Sequence, residues 1–239
     1  MIEIDDLTVS FGGVRGLNAL TASLPEPITG LVGPNGAGKT TLINVLSGFI
    51  RPAKGSVRVN GRDLNGIPVH KRAVFGIRRT FQNEQVVENL SAADNVAAVL
   101  DNVPTDGQPR PALIARALDF VGLGAMANVP GHSLNAYERR MVEIARATVG
   151  APRLIMMDEP GAGLAQDESQ HLRQVIKDIP HHCGAQVLLV DHDVDLIQAT
   201  CAATLVLDFG SRIAYGETAT VLADPKVRAA YLGVLEEAT

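Results

Sequence analysis

Residues 33–41 read Gly-Pro-Asn-Gly-Ala-Gly-Lys-Thr-Thr, and from Gly33 to Thr40 they match G-x-x-x-x-G-K-[ST]. Glycines at this spacing let consecutive backbone N–H groups turn inward around an anion, and a helix that follows adds the positive end of its dipole. In such a cradle Gly33, Pro34, Asn35, Gly36, Ala37 and Gly38 wrap the phosphates of a nucleotide, and Lys39 reaches the β- and γ-phosphates. Thr40 offers its hydroxyl to Mg²⁺, with Thr41 beside it. A second stretch, RLIMMDEP at 153–160, is nearly all apolar until it ends in two acids. Asp158 is then delivered at a strand end, where a carboxylate holds the Mg²⁺ shell. Glu159, next along, is placed to orient or deprotonate a water. The glycine run alone does not separate a kinase from a GTPase or an ATPase, and Glu159 alone would be a solvated loop acid. Taken together they predict hydrolysis of a nucleoside triphosphate.

Both motifs need a buried strand behind them. ITGLVG (28–33) reads as a short buried strand entering the glycine turn, with TLINVLSGF as the helix after it. RLIMMD (153–158) and AQVLLVD (185–191) are apolar enough for strands buried on both faces. IEIDDLTVSF (2–11) and GSVRVNGRDL (55–64), the latter turning at Asn60-Gly61, read as strands of an N-terminal antiparallel region, and LVLDFGSRIAYG (205–216) as a hairpin. From about 83 to 145 only helix signals occur. Ser91-x-x-Asp94 is a capping box ahead of NVAAVL. Pro111 marks a first helical position, with Leu113, Ala117 and Val121 on one face, and NVPTDGQPRP (102–111) is loop. The expected fold is α/β, a P-loop NTPase (RecA-like) core carrying an inserted helical subdomain. One domain is expected over 1–239, with 1–82 and 146–239 as the ATP-binding core and 83–145 as the helical part.

Composition narrows the class further. The chain has 239 residues, 46% hydrophobic and 20% charged, with a net charge of −5. That balance, with no basic run of five, argues against nucleic acid as a partner. The opening MIEIDDLTVSF is acidic and lacks an apolar core, so no signal peptide is expected. Apolar stretches such as VLLV fall far short of the roughly 18 residues of a spanning helix, so a soluble chain is expected. Cys183 and Cys201 fit a reducing compartment and form no metal spacing.

The glycine-rich motif, the Asp158-Glu159 pair and RRMVEIARAT (139–148) between them resemble an ATP-binding cassette (ABC) transporter ATPase. The resemblance runs from Phe11 to about Gly233. RTFQ (79–82), VDHDVDLI (190–197) and DPKVRAAYLG (224–233) resemble more narrowly the ATPases of branched-chain amino-acid importers, a group with relatives serving urea and short amides. A lipopolysaccharide-export ATPase has a similar tail. The resemblance implies that Gln82 senses Mg²⁺ and water and couples to a membrane subunit. It implies that His192 contacts the γ-phosphate, and His192 does follow AQVLLVD at the sheet edge expected for Asp158. Phe11, 28 residues before Lys39, matches the aromatic that stacks on adenine, a strand-core phenylalanine being the alternative.

The same resemblance exposes a departure. Counting back from EIAR (143–146), the family's L-S-G-G-Q falls on Leu134, Asn135, Ala136, Tyr137 and Glu138. In a second alignment Asn135-Ala136-Tyr137 stands for Leu-Ala-Tyr, and the following glycine is missing. In this family two cassettes bind head to tail, and each such segment closes over the ATP of the other, donating N–H groups to the γ-phosphate. Glycine allows that approach because no Cβ intervenes. Tyr137 and Glu138 put a ring and a negative charge there, although Asn135 can still donate through its amide. Ala165, after GAGL (161–164), likewise replaces an acid or amide of the family, and the segment from Gln82 to Leu134 looks shorter than in close relatives.

What is implied is the ATPase subunit of an ABC transporter, using ATP and Mg²⁺ and driving separate membrane permease subunits from the cytoplasmic face. Uptake of branched-chain amino acids or a related small polar solute would add a solute-binding protein. The altered LNAYE points to a heterodimer with a second ABC ATPase subunit. The alternatives are a soluble, non-transport ABC ATPase, against which stand the lack of a tandem cassette or coiled-coil insertion, and a regulatory subunit that hydrolyses ATP poorly.

Overall fold

Alternation of apolar residues builds the first sheet. In β1 (Ile2–Phe11) Ile2, Ile4, Leu7 and Val9 are buried, and in β2 (Val14–Leu24) Leu17, Leu20, Ala22 and Leu24 answer them. The computed structural model describes residues 1–232, and these form two compact units. The first contains Met1–Arg72 and the described residues from Leu188 onward, and the second Ala73–Val187. The tail motif resembling DPKVRAAYLG ends at Gly233, outside the described residues.

In the first unit β1 pairs antiparallel with β2, from Ile2↔Leu24 to Phe11↔Val14. On its other side it pairs with β4 (Lys54–Val59), which turns at Asn60-Gly61 into β5 (Arg62–Asp63). β3 (Ile28–Val32) is buried along its length and feeds the glycine loop, after which α1 (Lys39–Ser47) begins. β3 lies parallel to β9 (Ala203–Asp208), which hairpins into β10 (Ser211–Glu217). α7 (Val194–Thr200), α8 (Thr218–Ala223) and the short α9 (Pro225–Val227) complete this unit. β8 (Gln186–Val190), buried throughout, and α2 (Val69–Phe75) span the division between the units. From α2, Arg72 donates to the carbonyls of Val45 (2.6 Å), Leu46 (2.6 Å) and Leu64 (2.8 Å), anchoring the negative end of α1.

In the second unit β6 (Ile77–Arg79) runs parallel to β7 (Leu154–Asp158), so both strands leave the pair at one edge. Between 83 and 145 the described structure holds helices and one isolated bridge, Ser91↔Pro130. α3 (Ala92–Leu100), α4 (Arg110–Phe120) and the start of α5 (Ala136–Thr148) supply that region, and α6 (Gln166–Cys183) follows β7. Val96, Leu113, Ala117, Met141 and Ile144 are buried among these helices.

Several details differ from the sequence reading, among them the three-residue strand β6, which it did not anticipate. β2 was not anticipated, because register shifts against β1 and a left-handed Ala19 (φ 49) break the period of two. Pro111 sits at the second helical position, since Pro109 caps α4. Ser91 accepts from the Asp94 N–H as expected, but Asp94 accepts from the Ser91 hydroxyl at 2.6 Å, not from its backbone.

Candidate active site

In the first unit the glycine loop ends in a helix start that the chain's own side chains leave uncapped. Gly38 is the N-cap of α1 at φ 104, with no side-chain cap and no acid in the first turn. An added Cβ at Gly38 would lie 2.5 Å from the Gly16 carbonyl, and one at Gly33 2.2 Å from that of Leu207, so the loop has no room for larger residues at either point. The turn between β9 and β10 braces it from behind: Gly210 donates to the Ala37 carbonyl at 3.0 Å, and Asn18 donates to that of Gly210 at 2.9 Å. Lys39 is buried and its Nζ donates to the carbonyls of Gly33 (2.5 Å) and Pro34 (3.0 Å). Asn35, Gly36 and Thr40 are exposed, and Pro34 and Thr41 half-buried. Phe11 is 51% exposed with its ring edge against Gly16. It is not a core residue.

His192, also in this unit, is exposed on the turn after β8. The turn is built by carboxylates on either side. Asp191 accepts from the Asp193 N–H at 2.9 Å, and Asp193 caps α7 by accepting from Asp195 and Leu196.

The second unit gathers Gln82, Asp158 and Glu159. Where β6 and β7 end, Arg79 donates to Asp158 Oδ2 at 2.8 Å and Gln82 Nε2 donates to Glu159 Oε2 at 2.9 Å. Glu159 adopts φ 51, a left-handed conformation that a side chain disfavours and that clusters at functional loops. Sequence reading missed the charges beneath. Arg140 and Glu143 of α5 are buried, and burial pushes the Glu143 carboxyl up to about 7, against the Phe81 N–H that holds it charged. Their spacing with Arg146 was the available signal, but charges three apart on a helix read as a solvated face.

At the other end of α5 stands LNAYE. Leu134 is buried and Asn135 is the N-cap, its Oδ1 accepting from the Glu138 N–H at 2.8 Å. Glu138 Oε2 accepts from the Asn135 N–H at 2.8 Å, closing a full capping box. Tyr137 turns toward α6, where its hydroxyl and the His171 Nδ1 share a hydrogen bond. Glu138 thus holds its own helix end.

The donor set suits a nucleotide. In the first unit, N–H groups without a side-chain cap and a buried ammonium fit phosphates, and a threonine hydroxyl is a hard donor of the kind Mg²⁺ prefers. In the second unit, taken by itself, an amide oxygen and a carboxylate are such donors. Among the described residues no cluster of three His, Cys, Asp or Glu side chains suits a transition metal, and no helix is long and apolar enough to cross a membrane.

Comparison with known proteins points the same way. Residues 18–162 match the ABC transporter family model. The lipopolysaccharide export system ATP-binding protein LptB of Acidithiobacillus ferridurans is 38% identical over 206 residues, covering 86% of this chain and 85% of its own. The high-affinity branched-chain amino acid transport ATP-binding proteins BraF of Pseudomonas aeruginosa and LivG of Escherichia coli are each 32% identical over 249 residues, covering 98% of both chains. An ATP-binding cassette of an ABC transporter, solved in its ADP conformation, superposes with a TM-score of 0.83 at 27% identity, covering 98% of each chain.

Proposed function

Since the chain belongs to the ABC transporter family and is an ATP-binding subunit with ATPase activity, we propose that it drives import of branched-chain amino acids or a related small polar solute. The observation that carries the importer reading is the similarity to BraF and LivG over nearly the whole chain. In this reading the chain sits peripherally on the cytoplasmic face, works with membrane permease subunits, and serves a system with a solute-binding protein. Residues 1–82 and 146–239 form its ATP-binding core and 83–145 its helical subdomain. The LptB likeness supports a second reading, export of a lipid-linked saccharide. Reconstitution with candidate permease subunits, with and without a solute-binding protein, decides between them. Stimulation of ATP hydrolysis by the solute-loaded binding protein supports import. Stimulation by lipopolysaccharide without any binding protein overturns it.

The residue roles follow from the chemistry. The loop from Gly33 to Thr41 binds the phosphates with Lys39 on the β- and γ-positions, and Phe11 stacks on adenine. Thr40, Gln82 and Asp158 would hold Mg²⁺, which would supply neutralisation of the phosphate charge. Glu159 takes the proton of the attacking water, Gln82 orders that water, and His192 donates to the γ-phosphate.

The capping box at LNAYE supports a heterodimer. The box ties up the Asn135 and Glu138 N–H groups and sets a carboxylate at the helix start, which makes this terminus a poorer donor to a phosphate across a dimer interface. Losing one preorganised donor costs about 3–4 kcal/mol, or roughly 10²–10³ in rate. A second ATPase subunit with an ordinary L-S-x-G-Q would complete hydrolysis over this chain's loop, while the site closed by LNAYE binds ATP and turns over slowly. Size and ATPase measurements on the purified chain test this. A briskly hydrolysing homodimer sinks the heterodimer.

A further inference from the structure

We propose that Arg140 is a positioning residue that holds the backbones of Gln82 and Glu159 in one fixed geometry; this rests on reading Glu159 as the general base. Gln82 sits on an exposed loop and Glu159 holds a left-handed backbone, so the geometry of their mutual side-chain hydrogen bond depends on how those two backbones are held. Beneath them lies Arg140, 4% exposed. Its Nη1 donates to the Glu159 carbonyl at 3.1 Å and its Nη2 to the Gln82 carbonyl at 3.2 Å. Glu84 neutralises it, Oε1 accepting from Nη2 at 2.6 Å and from Nε at 3.2 Å. One planar guanidinium therefore ties together the loop after β6, the loop after β7 and the helix α5.

The neighbours on α5 extend the grip. Glu143 accepts from the Phe81 N–H at 3.2 Å, and Arg146 donates to the Gln85 carbonyl. Positions 140, 143 and 146 thus engage Phe81, Gln82, Glu84 and Gln85 in turn. Lysine cannot replace Arg140 here, because a single ammonium on a flexible stem cannot reach two carbonyls and a carboxylate in a planar fork. A buried arginine would also be a liability without these acceptors, and here Glu84 and the two carbonyls satisfy three of its nitrogens. Gln82 and Glu159 would then move together when α5 shifts, instead of separately.

The test uses the full chain, alone or with co-expressed partner, whichever assembly hydrolyses ATP, and the variants Arg140→Lys and Arg140→Met. Arg140→Lys should lower kcat about 10–100-fold while ATP affinity changes less than about threefold, the scale expected when catalytic groups are displaced by an ångström. Hydrogen exchange should rise in both 81–85 and 159–162 and stay unchanged in 33–41. Added to Glu159→Gln, the substitution should cause no further loss of turnover. Losses that multiply in the double mutant, or exchange that rises in one segment alone or throughout the unit, would overturn the proposal. Where Arg140→Met fails to fold, Arg140→Lys decides. If Glu159→Gln leaves turnover intact, the base assignment falls, while the exchange measurement still judges the grip of Arg140.

Discussion

Two helices of this chain begin after a loop, and they treat their first N–H groups in opposite ways. α1 starts at Gly38 with no side-chain cap and no acid in its first turn. α5 starts at Asn135 with a reciprocal capping box and Glu138 at the third position. Each helix start has orphan donors and a partial positive charge. In α1 no side chain of the loop or first turn caps them, and in α5 two of them are taken by Glu138 and Asn135. The difference teaches how to separate a binding terminus from a structural one: the family resemblance expects both to face phosphate, but only one is built without a side-chain cap or a first-turn acid.

The largest expected effect comes from making α1 resemble α5. Gly38→Asp would place a carboxylate where phosphate is to sit and drive its Cβ toward the Gly16 carbonyl, 2.5 Å away, at φ 104. ATP binding should disappear, measured with a fluorescent nucleotide on protein that circular dichroism shows to be folded, with a lowered melting temperature from the strained backbone. Retained affinity would mean that this helix start is not the phosphate site.

Separating binding from turnover sharpens the contrast between the units. Glu159→Gln keeps the shape and the hydrogen bond to Gln82 but removes the basic oxygen. Turnover should fall by roughly 10²–10⁴ with ATP affinity preserved, the usual scale for a positioned base. Equal loss of affinity would place Glu159 in ground-state binding. A smaller effect is expected at Phe11, whose half-exposed ring borders Gly16. Phe11→Ala should weaken nucleotide binding by about 1–2 kcal/mol, a base-stacking scale, and Phe11→Tyr should restore it. A lowered melting temperature with unchanged affinity would return Phe11 to a packing role.

How much of this was legible in the sequence depends on the range of the interactions. The glycine loop, β3, β7, β8 and the helices between 83 and 145 were readable, because burial on both faces and local capping leave signals within a few residues. β2 was not, since its bulges against β1 are set by a partner strand and erase the alternation. The loop residues and Glu159 were named from motif and spacing, but Arg79, Arg140 and Glu143 were not, because Asp158 beside Arg79, Glu84 beside Arg140 and Phe81 beside Glu143 lie 56 to 79 residues away along the chain. Glu138 shows the opposite case. Its negative charge was read against a phosphate, and the structure adds a local task, accepting from the Asn135 N–H three residues away.

The smallest effect tests the α5 side of the comparison. Asn135→Ala removes the acceptor for the Glu138 N–H and should destabilise the fold by about 1 kcal/mol, the usual cost of an N-cap. Glu138→Gln is milder, because the amide oxygen can still accept from the Asn135 N–H. What it loses is a negative charge beside a helix start, about 0.3–1 kcal/mol at low salt. For a chain of this size that lowers the melting temperature by roughly 1–3 °C, and added salt should shrink the difference as the charge is screened. The two changes share one box, so their combined cost should fall short of the sum. If Glu138→Gln instead raises the melting temperature, the carboxylate is a burden to its own helix. Glu138 would then answer to something outside this chain, and the closed terminus of α5 would no longer stand in contrast to the open one of α1.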